Sequence, residues 1–125
     1  MIEALFNQNN YVAAKKLMDA TALRQEAIAS NLANAETPGY KRLDVAPSFK
    51  DELNQAMNSQ ESGQIAQVEP RLAVDDTAIA HGRDGNTVQL ETELLKMNQN
   101  SLAHAVETRI ISGSMARLRL AITGK

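Results

Sequence analysis

The sequence predicts a mainly α protein in which long N- and C-terminal helices pair as a coiled-coil-like hairpin around a short irregular or small β middle segment. Three observations carry this. Residues 9–35 contain neither Pro nor Gly and are mostly good helix formers. From Leu90 to Ile122 a set of mainly apolar positions recurs at alternating intervals of four and three. Aromatic residues are only 3% of the chain, so Leu, Ile, Val, Met and Ala must build any interior, which suits helix-on-helix packing. Three regions follow: residues 1–42, 43–86 and 87–125.

The first helix is expected over about residues 9–35. Ala13, Leu17, Ala20, Ile28 and Ala35 fall at helical spacings, and Arg24 and Asn31 lie on the same stripe, so that face is amphipathic rather than a clean apolar seam. Pro38 cannot extend the helix and disfavours helical backbone at Thr37; Gly39 then supplies the positive φ of a type II turn. Beyond Leu43 the periodicity weakens. Ser48, with Asp51 three residues on, is expected to cap a short helix running through Asn58 that presents Phe49, Leu53 and Met57 on one side. Ile65, Val68, Leu72 and Val74 read as extended segments interrupted by Pro70, either a small hairpin or a stretch ordered only on assembly.

The last helix is expected from about Leu90 to Ile122. Its predicted seam is Leu90, Leu94, Met97, Ser101, His104, Thr108, Ile111, Met115, Leu118 and Ile122, the heptad pattern of a left-handed coiled coil. Glu91 and Glu93 near its start and Arg117 and Arg119 near its end suit the helix dipole. Gly113 costs about 1 kcal/mol in a helix interior and suggests a close contact or a slight bend there. The polar interruption at Ser101, His104 and Thr108 has two open readings: it specifies register or partner choice, or it marks where the helix faces an aqueous channel.

Composition narrows the function classes. A single domain at most fits in 125 residues. Without cysteine there are no disulfides or thiolate metal ligands. A formal charge of -2 with no basic run among aromatics argues against nucleic-acid binding. The first residues lack a basic region followed by a long apolar core, so no cleaved secretory signal is expected, and no apolar run is long enough to span a membrane. No pairing of nucleophile and base, metal-ligand spacing or phosphate loop is present, so neither an enzyme nor a cofactor, metal or small-molecule substrate is expected. His104 has no spaced partner, and His81 beside Gly82 reads as a loop residue.

The turn itself is the most specified stretch. The run Asn31-Leu32-Ala33-Asn34, followed by Thr37-Pro38-Gly39-Tyr40-Lys41, resembles the N-terminal signature of the bacterial flagellar rod and hook proteins, the axial family of the basal-body shaft. Ser30 and Leu32 depart mildly from the commonest form of that motif. The run Asp84-Gly85-Asn86-Thr87-Val88-Gln89-Leu90-Glu91-Thr92-Glu93-Leu94 and the short length are most similar to the proximal rod subunits of the family. The resemblance implies a structural subunit of the proximal rod. Both terminal helices would assemble with copies of itself and with other rod and membrane-ring junction proteins into a torque-carrying shaft. It also implies delivery to a periplasmic site through the flagellar type III export apparatus, without a cleaved signal peptide. On this reading the assembly motif is Asn31, Leu32, Asn34, Thr37, Pro38, Gly39 and Tyr40.

Physical roles can be attached to these positions. Asn31 and Asn34 both donate and accept, and are expected either to bond across subunits or to cap a solvated helix end. Pro38 and Gly39 fix the departing chain, and Tyr40 packs its ring while keeping its hydroxyl wet. Ile2, Leu5 and Phe6 form a small apolar cluster that reads as an export signal or as packing of the helix start. The alternative function is a soluble helical adaptor or flagellar export chaperone, for which paired amphipathic helices suffice.

Overall fold

The computed structural model describes residues 8–59, 61 and 63–124; the Ile2, Leu5 and Phe6 cluster lies outside them. The described residues form, in order, α1 (Gln8–Ala33), β1 (Leu43–Val45), α2 (Ser48–Asn58), α3 (Gln64–Gln67), β2 (Leu72–Val74) and α4 (Leu90–Thr123). The two long helices lie side by side and antiparallel, since Asn31 meets Glu93 while Thr21 meets Asn100 and Glu107. The mainly α class with a small β middle is therefore as the sequence predicts, and α1 and α4 match the predicted spans to within two residues.

The middle segment folds back over α1. β1 and β2 form a two-stranded antiparallel sheet in which Leu43 pairs with Val74 and Val45 with Leu72. Pro70 sits just before β2, where its missing N–H costs no ladder bond. β2 thus pairs across the two intervening helices, not in a hairpin with its own neighbours. Residues 64–67 are helical rather than extended, and this turn of helix aims Ile65 and the following Val68 inward. α2 has the predicted span, with two local corrections. Ser48 does not cap it: Pro47, already at φ -60, ψ -25, precedes the first turn, and the Phe49 N–H bonds to the Ala46 carbonyl. Ala56 completes the inward side with Phe49 and Leu53, because the core meets the helix at a three-residue step there, and Met57 points to solvent.

The apolar core consists of Ala13, Ala20, Val45, Phe49, Leu53, Ala56, Ile65 and Val68, with Val12, Leu23 and Leu72 packed against it. It lies between α1 and the α2, α3 and sheet layer. Among the described residues, α4 contributes none to it. The side of α4 that meets α1 is instead polar, with Glu93, Asn100 and Glu107 its buried residues. This corrects the predicted seam within one chain: Met97, Ile111 and Leu118 are half-buried, whereas Leu90, Leu94, Met115 and Ile122, with Ser101, His104 and Thr108, are exposed. The apolar heptad exists in the sequence but is turned largely away from α1. No atom of the described residues would approach a Cβ at Gly113, so its expected close contact is not made within the chain.

Candidate functional site at the turn after the first helix

Asn31 sits in the last turn of α1 and is fully buried. Its amide donates to the Leu43 carbonyl at 2.9 Å and to Glu93 Oε2 at 3.2 Å. Its Oδ1 accepts from the Leu43 N–H at 2.8 Å and from the Tyr40 hydroxyl at 3.2 Å. Both faces of the amide are satisfied inside the chain, so Asn31 is neither a solvated end nor a bond to a second subunit. Asn34 ends the helix locally: its Nδ2 donates to the Ser30 carbonyl at 2.8 Å, one of the acceptors a helix terminus leaves open. The Tyr40 N–H returns to the Thr37 carbonyl at 3.3 Å, and Gly39 has φ +74, as the Pro38-Gly39 pair predicts. Leu32 and Tyr40 are half-buried, while Thr37, Pro38 and Gly39 face solvent. The motif thus has an inner part that holds the turn and an outer part that the turn displays.

The second sequence run closes over the first. Asn86 donates its amide to three carbonyls, Asn34 at 2.9 Å, Ala35 at 3.1 Å and Thr37 at 2.8 Å. The Gly39 N–H reaches the Asp84 carbonyl at 2.7 Å, the Thr87 N–H reaches the Tyr40 carbonyl at 3.0 Å, and the Arg42 N–H donates to Thr87 Oγ1 at 2.9 Å. Lys41 Nζ adds a bond to the Gly85 carbonyl at 3.1 Å. Asn86 holds its own loop as well, with the Val88 N–H donating to its Oδ1 at 2.7 Å. This clamp saturates the irregular backbone that a helix exit would otherwise expose.

Beneath the clamp lies an ion-pair network. The Arg42 guanidinium bonds Glu93 Oε1 at 2.6 Å, Asp44 at 3.3 Å and Asp75, while Arg24 holds the other Asp44 oxygen at 3.0 Å. Glu93 is completely buried and the Arg42 side chain nearly so. Burial alone would lower the Arg42 pKa, but the bonds to Glu93 and Asp75 and the surrounding negative charge hold it above its ordinary value. Burial would likewise raise Asp44 and Asp75. Arg24 and the Val45 N–H reverse this for Asp44, and Thr77 and Arg42 do so for Asp75, leaving both below the usual carboxylate value. The network ties the start of β1, the end of β2 and the first turn of α4 to one cation. Among the described residues no group of three or more His, Asp or Glu is placed to hold a metal ion.

The sequence flags the two runs separately and gives no sign that they touch. Asp44 and Asp75 lie outside both runs and carry no sequence signal, whereas Arg42 closes the Tyr40-Lys41-Arg42 end of the turn run and Arg24 lies on the α1 stripe. The other surface of note is the far side of α4, where Leu102, Val106 and Ile110 lie exposed along one strip with Arg109 and Arg117 beside them.

Comparison with known proteins bears on the same segment. A family profile described as Flagella basal body rod protein matches residues 18–41, the second half of α1 and the turn. Flagellar basal body rod protein FlgB of Aquifex aeolicus is 30% identical over 113 residues, covering 89% of this chain and 90% of that protein. The chain belongs to the FlgB family of flagellar basal body rod proteins. FlgB of Aeromonas hydrophila is 30% identical over 112 residues, 82% of this chain and 83% of that one. FlgB of Salmonella typhimurium is 28% identical over 126 residues, 88% and 90% respectively. As a family member the chain is a structural subunit of the flagellar basal-body rod, and the adaptor or chaperone alternative is not favoured. FlgB relatives are structural rod proteins rather than enzymes. The matches to the FlgB relatives span both motif runs, whereas the profile covers the first-run half of the clamp and stops before residues 84–88.

Proposed function

We propose that this rod subunit assembles through its terminal helices, with the outer side of α4 docking on copies of itself and on other rod and membrane-ring junction proteins, so that torque passes along packed helices. The observation that carries this reading is the inside-out distribution on α4: Leu95, Leu102, Val106, Ile110 and Leu120 are exposed while the buried residues that face α1 are polar. Burying one such side chain contributes about 1.5–3 kcal/mol, so neighbours that cover the strip supply a large driving force. The clamp and Arg42 network keep the turn rigid, and Thr37, Pro38 and Gly39 then present a fixed surface to a neighbour, with Asn31, Leu32, Asn34 and Tyr40 supporting it from within. Delivery through the flagellar export apparatus to the periplasmic part of the basal body, without a cleaved signal, completes the proposal.

Hydrogen exchange on the dilute protein, repeated after mixing with candidate rod partners, tests it. Protection of α4 that rises sharply on mixing is the expected result. Strong protection of α4 in isolation, unchanged on mixing, overturns assembly through this helix.

A further inference from the structure

α4 buries one residue per heptad against α1, and all three are polar: Glu93, Asn100 and Glu107. Each meets a different chemistry. Glu93 takes the Arg42 guanidinium and the Asn31 amide. Asn100 donates through Nδ2 to the Thr21 carbonyl at 2.9 Å and to Gln25 Oε1 at 3.3 Å, and its buried Oδ1 has no hydrogen-bond partner. Glu107 Oε2 accepts from the Thr21 hydroxyl at 2.9 Å. An apolar heptad is available on the same helix and would bury more hydrocarbon against α1, yet only Met97, Ile111 and Leu118 of it are half-buried and its other apolar members are exposed. Polar groups that cost more than Leu at these positions are retained where they select one packing among several.

We propose that Asn100 and Glu107 are the specificity-determining residues of the helix pair: they choose which side of α4 faces α1 and so keep its apolar side outward. Glu93 and the clamp fix only the first turn of α4. Further along, turning the Leu102 and Val106 side toward α1 would leave the Thr21 hydroxyl and the Gln25 side chain opposite apolar groups and lose both bonds. Apolar contact is non-directional and would accept several faces; a donor that must meet the Thr21 carbonyl and an acceptor that must meet its hydroxyl accept one. A slip by one heptad is rejected too, because Glu107 would then stand where Asn100 now donates to the Thr21 carbonyl, setting acceptor against acceptor.

Methyl contacts in the full chain read this directly, without relying on the rod assignment. Ile28 and Ala103 line one cleft between the helices, whereas Leu102 and Val106 point away. In the unmodified protein, methyl NOEs from Ile28 to Ala103 are expected, and none to Leu102 or Val106. In Asn100→Leu combined with Glu107→Leu, the Ile28–Ala103 signal is expected to weaken as new ones to Leu102 or Val106 appear. Glu107→Gln alone, which keeps an acceptor, is expected to preserve the original set. An unchanged set in the double variant overturns the proposal. Should the double variant not fold, Asn100→Ala decides: a second, rotated set of contacts supports the assignment, and a single native set overturns it.

Discussion

The two sides of α1 are built on different physics. Ala13 and Ala20 join an apolar core of Val45, Phe49, Leu53, Ala56, Ile65 and Val68. Thr21, one residue along, belongs to the opposite side, where it meets Asn100 and Glu107 of α4. The core side is non-directional: it stabilises in proportion to apolar area and tolerates changes of shape that conserve volume. The α4 side depends on donors and acceptors in fixed places, so it gives less net stability and more selectivity. The longest described helix is thereby held to α1 through three buried polar residues, and much of its hydrocarbon is left exposed.

The contrast can be broken most severely at the ion-pair network. Arg42→Leu strands the completely buried Glu93 carboxylate, and stability in urea is expected to fall by about 3–5 kcal/mol. Leu53→Ala strikes the other side by leaving a cavity, at about 2–5 kcal/mol, while Leu53→Met is expected to cost under about 1.5 kcal/mol in the same titration. A polar position should show no such tolerance to an isosteric apolar swap. Asn86→Ala removes the donor shared by three carbonyls and is expected to cost about 1–3 kcal/mol, with faster hydrogen exchange at the Gly39 and Thr87 amides as the local signature. Gly39→Val forces a β-branched side chain to φ +74, at about 1–2 kcal/mol, in open space where no clash adds to it. A null effect there would mean that the turn relaxes freely and contributes nothing to the clamp.

The smallest effect sharpens the comparison through pH. Burial pushes the Glu107 carboxyl above its ordinary value of 4.5, partly offset by the Thr21 hydroxyl and by the His104 and Arg24 charges. Thr21 Oγ1 lies 2.9 Å from both the Met18 carbonyl and Glu107. Its single proton serves one of them while Glu107 is ionised, and a protonated Glu107 can donate back and free that proton for Met18. The folded state thus binds the proton more tightly than the unfolded chain, so this group stabilises as pH falls through its folded pKa toward 4.5. Asp44 and Asp75 have the opposite sign: their stabilisation is present above 3.8 and is lost as pH falls through their lowered folded values. Denaturant midpoints are therefore expected to rise on mild acidification and to fall below about pH 4. Glu107→Gln should abolish the rise and keep the fall; a rise that persists in that variant would remove Glu107 from the account.

Local rules made much of this legible in advance. The absence of Pro and Gly over residues 9–35 and the four-three spacing after Leu90 located both long helices, and Pro38-Gly39 located a turn whose positive φ is present. The same rules misassigned the inward side of α4, because heptad spacing says that a seam exists but not which partner covers it. The role of the clamp was equally hidden. Asn86 reads as one more turn residue until the fold places three open carbonyls within its reach.

The sequence by itself determined where the two long helices begin and end, where the chain must turn after the first, and the motif that ties it to the rod family, since propensity, proline and glycine act within a few residues. Only the tertiary structure decided that Asn31 is sealed inside, that Arg42 gathers three carboxylates, and that α4 turns its polar side inward. Those outcomes depend on pairing groups up to 86 positions apart, Thr21 with Glu107 among them. A buried donor or acceptor must find its partner in space, and no local pattern records where that partner will be.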